Sequence, residues 1–572
     1  MGKRNMRDPA KDAECLQRYE DLLPRMADYV DKWVEERPDD LALIEYNTGA
    51  EVTWKDFALR TKEYASKLLS LGLVKGDIIA TMLPLFKEHI FLIYACYRLG
   101  VIISPLDIRF KAVELRQCFE KMSPKAFIFL GKTPVTDLRP IVQEIMGEFP
   151  SCTQWIQFQP EPELVIDGAT RFLDFFSDVG DIYTQMLDSG DLEASIKLVN
   201  KRDPCLIIFT TGSTGAPKPA LICHENILIQ DIGLKMAFER GPNPVQMVNL
   251  PPSHVGCVTE MLAWPIYSGV PVVFFHVFTP ESTLDAIQKY HVTFIGQIPA
   301  LFAMEWRLPN YADYDLSSLL IAVYGGQAVT RQFLIQLSQM APEIATGLGL
   351  TETAGFVTYT PVNISVDEIA ASVGYDMPLC PISIRDVMKE DGSSGDEKTP
   401  GEIGEICFSG PQVFLGYLND PENTAKTIST DGFCYTGDLG SYDENGLHFA
   451  GRSKLVIKPK GYQVYPPEVE DFLVNALRDK VSNIALVGAP HDVFTEGIVA
   501  FVEPKPDQEV TEDDVNEAAQ DLAAYKRPSA VVVLEPGGMP LNRINKIDYV
   551  ELKKRALAIT EELRAQGKWD AN

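Results

Sequence analysis

Over the first 130 residues the apolar positions recur either at helical spacing or in short unbroken runs, and the two textures alternate. Leu22, Met26, Tyr29 and Trp33 fall on one face of a helix predicted over 15–36. A second amphipathic stretch, DFALRTKEYASKLLSLG, follows Val52-Thr53-Trp54 and stops on Gly72. Asp77–Pro84 reads as a strand, HIFLIYACYRLG as a helix ending at Gly100, and VIISP as the next strand. Residues 112–130 repeat the helix–strand unit and close on Ala126-Phe127-Ile128-Phe129-Leu130. Strands that alternate with helices predict a mainly parallel sheet covered on both faces. This part carries core and little chemistry, and Arg109 reads as a structural ion-pair residue.

The pattern loosens over 151–200, which reads as a peripheral insertion. It then resumes with the apolar strand CLIIFTT from Cys205, a polar turn with an apolar helix and strand over 250–274, and strand–turn–helix units at 294–304 and 319–330. From 380 to 450 short strands rich in Gly, Asp and Pro predict a β-rich subdomain. A last unit of alternating segments (SNIALVGA, EGIVAFVEP, VNEAAQDLAAY, SAVVVLE, KIDYVELKKRALAI) is long enough for a compact domain. The expected division is 1–452 and 453–572. The fold class is α/β: a large N-terminal domain of parallel sheets with covering helices and the β-rich subdomain, plus a small, mobile C-terminal α+β domain.

Composition narrows the function classes. At 572 residues more than one domain is required, and 46% hydrophobic with 23% charged residues is the balance of a globular chain. A formal charge of −28 argues against a nucleic-acid partner and against docking on an anionic membrane. Any phosphate site must therefore gather its own local positive charge. Ten scattered cysteines without a C-x-x-C read as free thiols in a reducing compartment, and the N-terminal stretch has no apolar signal segment. No apolar run reaches membrane-spanning length, so the cytoplasm is the expected location.

The chemistry begins where the Cys205 strand ends. Thr210-Thr211-Gly212-Ser213-Thr214-Gly215-Ala216-Pro217-Lys218 changes within one residue from apolar to hydroxyl- and glycine-rich. Such a loop offers backbone N–H groups and hydroxyls to a phosphate, with a lysine at its exit. It is not a Walker A loop, because the G-x-x-x-x-G-K-[ST] spacing occurs nowhere in the chain.

Six separated motifs, in order and across nearly the whole length, resemble those of the adenylate-forming enzymes: acyl- and aryl-CoA synthetases, luciferases and peptide-synthetase adenylation domains. TTGSTGAPKPA (210–220) resembles their phosphate loop, with Pro219 where a glycine is usual. Tyr324-Gly325-Gly326-Gln327 is a strand end whose small residues let a ligand touch the backbone. GLGLTETAG places Gly347, Leu348, Gly349 and Leu350 on the nucleotide, Thr351 on phosphate and Glu352 on Mg²⁺; Leu348 stands where tyrosine often stacks on adenine. Tyr435-Thr436-Gly437-Asp438 resembles the ribose-binding motif, with Asp438 accepting from the hydroxyls. In GRSKLVIKPKGYQVYPPEVE, Arg452 would reach the nucleotide, Lys454 is the hinge, and Lys458, Lys460 and Gly461 lie toward CoA. PLNRINKIDY puts Lys546 at the catalytic lysine, with Asn545 replacing a glycine and Tyr549 an arginine.

The resemblance implies two half-reactions: attack of a carboxylate on the α-phosphorus of ATP, then attack of the CoA thiol on the acyl-adenylate. Lys546, Glu352 and Thr211 are the expected catalytic groups, and Lys218 adds charge to the phosphate loop. In this family the small domain swings about the hinge between the two steps. The acid pocket is expected from Ser253, His254, Val255, Gly256 and Trp264 and from Tyr324, Gly325 and Phe356; Trp264 and Phe356 imply a broad apolar pocket suited to a ring or a medium chain more than to acetate, with alicyclic or aromatic monocarboxylates the first choice and medium-chain acids the second. No acidic residue stands where it would hold an α-amino group, which counts against amino-acid activation. The rival classes are an acyl-AMP ligase loading a carrier protein and a non-catalytic adenylate-binding regulator. The expected partners are a small carboxylic acid, ATP and CoA, with self-association as a homodimer left open.

Overall fold

The computed structural model describes residues 8–211, 217–459, 462, 464–492, 495–542 and 546–570. The chain divides into two compact units. The larger runs up to Ile382 and includes Glu390–Ser393 and Phe408–Cys434; the smaller comprises Ser383–Lys389, Ser394–Cys407 and the residues from Tyr435 onward.

The strands of the larger unit are, in chain order, β1 (Leu41–Glu45), β2 (Ala50–Thr53), β3 (Ile78–Met82), β4 (Ile102–Pro105), β5 (Ala126–Leu130), β6 (Gln154–Phe158), β7 (Thr170–Arg171), β8 (Pro204–Thr211) and β9 (Pro217–Cys223). They continue with β10 (Gln246–Val248), β11 (Val272–Phe274), β12 (Phe294–Gln297), β13 (Ile321–Tyr324), β14 (Glu343–Thr346), β15 (Gly349–Leu350) and β16 (Gly355–Phe356). Two seven-stranded sheets result, ordered β7-β6-β5-β3-β4-β8-β9 and β14-β13-β12-β10-β11-β1-β2. Every pairing in them is parallel except the edge hairpins β8–β9 and β1–β2. The central strands are continuous apolar runs because both faces are covered. The helix Lys87–Leu99 is buried beyond its first turn, and His224–Phe238 is buried on nearly every face, so both are interior layers, not surface helices.

Two sequence expectations change. The helix over 15–36 is two helices, α1 (Pro9–Glu20) and α2 (Met26–Glu36). Pro24 lies in the break: it offers no N–H to a continuous helix and biases its predecessor toward extended backbone. Residues 151–200 also contribute to the sheet, since β6 pairs in parallel with β5 along its whole length and β7 pairs with β6. The alternation of Trp155 and Ile156 with glutamines hid that strand, and one of those glutamines, Gln157, is buried and bonded to Leu164 O and Ile166 N.

In the smaller unit β17 (Ile382–Arg385), β18 (Gly404–Phe408), β19 (Cys434–Asp443) and β20 (Gly446–Arg452) form the expected β-rich sheet. β21 (Val481–His491) and β22 (Thr495–Pro504) form a long antiparallel hairpin to which β23 (Ala530–Val533) adds in parallel. β19 and β20 group with the smaller compact unit because they pair with strands from 382–408. Among the described residues no helix is long and apolar enough to cross a membrane. All ten cysteines are buried free thiols.

Candidate active site

Parallel strands all end on the same edge of a sheet, which is where open α/β sheets take ligands. At that edge of the second sheet β10 leads into Asn249 and the turn carrying Ser253 and His254, β12 ends on Gln297, β13 on Tyr324 and Gly325, and β14 on Thr346 and Gly347. Four motifs far apart in sequence are therefore neighbours by topology.

In the first sheet β8 ends at Thr211 and β9 begins at Pro217, and the two pair antiparallel on either side of the phosphate-loop motif. Gly212, Ser213, Thr214 and Gly215, and the side chain of Thr211, lie outside the described residues. Lys218 is on β9. Pro219 fits because β9 is an edge strand, where a proline N is not missed, and its carbonyl accepts from Leu418 N at 2.9 Å. Segment 411–418 runs beside β9: Leu221 N donates to Gly416 O and Leu415 N to Leu221 O, each at 2.9 Å. The same segment fastens the Glu352 turn. Phe414 N donates to Glu352 O at 2.9 Å, and Gln412 Nε2 donates to Thr353 O at 3.0 Å and to Phe356 O at 2.9 Å.

That turn holds the expected metal ligand. The Tyr417 hydroxyl donates to Glu352 Oε1 at 2.5 Å, and Lys218 Nζ lies 4.9 Å from the centre of the Tyr417 ring. Burial, reinforced by the Glu352 carboxylate, pushes the Tyr417 phenol far up, so it remains a donor. One tyrosine thus links the hairpin's lysine to the carboxylate. Thr351 and Glu352 are half-buried, and Ala354 adopts φ +56° with its carbonyl held by Thr259 Oγ1 at 2.7 Å. A non-glycine residue in the left-handed region is strained by roughly 1 kcal/mol and marks a turn whose shape its surroundings impose. Gly347 is required on its own account: a Cβ there would lie 2.0 Å from Thr358 O. Leu348 N donates to Thr358 Oγ1 at 2.8 Å, leaving Leu348 half-buried at the strand end. Gly326 and Gln327 are exposed beyond β13.

Among the residues expected around the acid, the Phe356 ring lies over Gly325, where a Cβ would be 2.9 Å from Phe356 Cζ. Tyr324 is buried at the end of β13. Ser253 is buried, its Oγ lacking a hydrogen-bond partner among the described residues, while Val255, Gly256 and His254 are half-buried. Against the upward push of burial, the Arg109 contacts hold Asp107 low, with a smaller contribution from His254. Arg109 pairs with Asp107 at 2.5 Å, the structural role expected of it. Trp264 is wholly buried, edge-on to Phe294 at 4.7 Å.

Glu260 was not foreseen. It sits in a π-helical turn, Gly256–Met261, and its Oε1 accepts from Phe356 N at 2.8 Å and Gln230 Nε2 at 3.0 Å. A lone carboxylate inside the apolar run CVTEMLAWP was the available signal. Glu305 is a second buried carboxyl, pushed up to about 8 by burial, with both oxygens accepting from Gln297 Nε2 at 2.9 Å. Tyr417 and Gln412 carried no sequence signal, since their roles exist only through segment 411–418.

In the smaller unit Asp438 and Arg452 face each other across β19 and β20, with Arg452 Nε 3.2 Å from Asp438 Oδ1. Asp438 is buried and its N–H is held by Thr436 Oγ1 at 3.1 Å. Lys546 is bonded to Asn542: Asn542 N donates to Lys546 O at 2.7 Å and Lys546 N to Asn542 Oδ1 at 3.1 Å. Burial, then the positive charge of Arg452, lowers the Lys546 ammonium to about 8, against the opposing pull of Asp438. The structure therefore brings Asp438, Arg452 and Lys546 into one electrostatic neighbourhood. Tyr549 acquires a reason: its hydroxyl lies 3.1 and 3.3 Å from the two oxygens of Glu470, a carboxyl that burial pushes up to about 7. A neutral phenol suits a carboxyl that is itself partly protonated. Lys454 falls in the turn Ser453–Leu455, and Lys458 is exposed with its N–H on Glu496 Oε2 at 2.7 Å. Lys460, Gly461, Asn545 and the side chain of Lys454 lie outside the described residues.

Comparison with known proteins shows what the chain is similar to. The chain is 28% identical over 527 residues to 4-coumarate–CoA ligase 3 of Arabidopsis thaliana, covering 90% of this chain and 89% of that one. It is 26% identical over 535 residues to the mitochondrial medium-chain acyl-CoA ligase of Homo sapiens, covering 91% and 85%. Two solved structures share the fold: ATP-bound MatB from Rhodopseudomonas palustris (TM-score 0.76, 23% identity, 92% and 98% covered) and the anthranilate CoA ligase AuaEII with anthranoyl-AMP (TM-score 0.78, 20% identity, 95% and 99% covered). The model of the AMP-binding enzymes matches residues 30–418 and that of their C-terminal domain residues 468–546, and the chain belongs to this adenylate-forming family.

Proposed function

We propose that this protein is an AMP-forming acid–thiol ligase that joins a carboxylic acid to CoA through an acyl-adenylate, with an alicyclic or aromatic monocarboxylate as the acid. The observation that carries the reading is the fastening of the Glu352 turn to the phosphate-loop hairpin through segment 411–418 and Tyr417. A turn fixed in this way presents a carboxylate beside a loop rich in N–H groups, an arrangement suited to a metal-bound triphosphate. Mg²⁺ takes few protein carboxylates and completes its shell with phosphate and water, so Glu352 alone fits it; the ion would neutralise phosphate charge.

In the first half-reaction two anions must meet, and the chain's own work is to hold and neutralise them. The loop at 211–215 and Lys218 would surround the phosphates, with Thr211 and Thr351 donating hydroxyls. Asp438 would accept from the ribose, and Arg452 and Lys546 would meet charge that develops on the reacting phosphate. In the second half-reaction the thiol displaces AMP from the acyl carbon, with Lys458, Lys460 and Gly461 toward CoA and Lys454 as the hinge. The ring packed over Gly325 and the rigid aromatic cluster Phe238, Phe356 and Tyr359 favour a cyclic acid. The medium-chain reading is supported by one class of relatives. Ten buried thiols are in keeping with a cytoplasmic setting.

The test is exchange of labelled pyrophosphate into ATP across a panel of organic acids with Mg²⁺, followed by CoA-dependent release of AMP. Exchange with cyclic acids and AMP release with CoA alone are expected. Absence of exchange with every acid removes the ligase reading, and AMP release that needs a carrier protein replaces it with the acyl-AMP ligase.

A further inference from the structure

Glu260 has no role in the mechanism above, yet it occupies an improbable position for a carboxyl group. It is about nine-tenths buried. Oε1 is saturated by Phe356 N and Gln230 Nε2, and Gln230 is in turn held through its Oε1 by the Tyr359 hydroxyl at 3.0 Å. Gly355 is what admits the carboxyl: at φ +129° it has no side chain, and a Cβ would lie 2.4 Å from Glu260 Oε1. Oε2 has no hydrogen-bond partner among the described residues. It points toward Gly256, where a Cβ would lie 3.4 Å away.

Among the described residues no cation balances the group. Burial moves its carboxyl up to about 7, and only the Phe356 N–H opposes that shift. The titratable side chains that it influences in return are Asp231 and Tyr359, both buried. Holding a carboxyl in this largely buried turn is unfavourable, and an apolar residue would fill it without that penalty. Phe356, whose backbone Glu260 holds, and Gly256, toward which Oε2 points, are both in the wall proposed for the acid.

We propose that Glu260 is a specificity-determining residue: its free oxygen accepts a hydrogen bond from a hydroxyl or amino group that the carboxylic acid carries remote from its carboxyl end. This rests on the acyl-adenylation reading and narrows it to acids bearing such a donor. A site built to bond a substrate O–H or N–H rejects the analogue that lacks it far more strongly than an apolar pocket rejects a missing methylene.

The experiment compares matched acids in pyrophosphate exchange at about pH 8, where the carboxyl is mostly ionised. The pairs are benzoate with para-hydroxybenzoate and para-aminobenzoate, cinnamate with para-coumarate, and octanoate with its terminal hydroxy derivative. For whichever pair is turned over, the donor-bearing member should have a kcat/KM at least about tenfold higher. Glu260→Gln keeps an acceptor for Phe356 N and Gln230 while turning an amide NH₂ toward Gly256, so the preference should vanish and shift toward the methoxy analogue. Equal kcat/KM within every pair of the native protein overturns the proposal while leaving the ligase intact. An unchanged preference in Glu260→Gln overturns it as well. No exchange with any acid removes the ligase reading itself, and this proposal with it. Should Glu260→Gln fail to fold, the pairs measured on the native protein decide alone.

Discussion

Replacing Tyr417 with phenylalanine removes one oxygen and little else. The ring would stay under Lys218 Nζ and edge-on to Phe414, whose centroid is 5.0 Å away, and Phe414 N would still hold the Glu352 carbonyl. What disappears is the donor to Glu352 Oε1. A hydrogen bond to a charged group contributes about 1.5–3 kcal/mol, which corresponds to roughly 10- to 150-fold in a rate or binding constant. Glu352 is only half-buried, so water can replace part of the contact and the lower end applies: about tenfold in pyrophosphate exchange. Since the lost donor orients the proposed metal ligand, the Mg²⁺ concentration giving half-maximal exchange should rise with it. A structural role alone would leave that concentration unmoved. Combining Tyr417→Phe with Glu352→Gln closes a double-mutant cycle, and a positioning role requires the second substitution to add little to the first. Exchange within twofold of native at every Mg²⁺ concentration, or strictly additive effects in the cycle, would refute the reasoning.

Lys546→Ala should slow adenylation by roughly 10²–10³ while affecting the thioester half much less; equal losses in both halves would remove it as the adenylation lysine. In the native protein kcat/KM for adenylation should fall as pH rises through about 8, where Lys546 loses its charge, and Lys546→Arg should flatten that limb. Burial raises Glu305 from the ordinary carboxyl range to about 8, so the folded chain keeps a proton that the unfolded chain releases. Its stabilising contribution is complete below about pH 4.5 and is lost as pH rises through about 8, by a few kcal/mol at most. Melting temperatures between pH 6 and 9 should therefore fall more steeply for the native protein than for Glu305→Gln, and parallel slopes would contradict this assignment. Tyr549→Phe should destabilise the smaller unit by about 1 kcal/mol in calorimetry, whereas Tyr549→Arg should be tolerated as a cation beside Glu470; a phenylalanine variant as stable as the native chain would show the Glu470 contact to be idle.

The alternation of apolar runs and amphipathic stretches was enough to determine the layered α/β architecture, because strands covered on both faces must be apolar throughout. The order of six short motifs determined the family, since each is a local backbone requirement written in small and hydroxyl residues. Local signals failed where a partner distant in sequence decides. Pro24 split a helix whose apolar spacing was otherwise continuous, and β6 was concealed by buried glutamines that find acceptors and donors only in the folded chain. The grouping of β19 and β20 with the smaller compact unit is set by their pairing partners at 382–408, far from them in sequence. Tertiary structure alone joined Tyr417 to Glu352, Glu470 to Tyr549, and Glu260 to the backbone of Phe356. Each of these is a side chain whose charge or hydrogen bonding has no meaning until burial removes water and a contact from another segment replaces it.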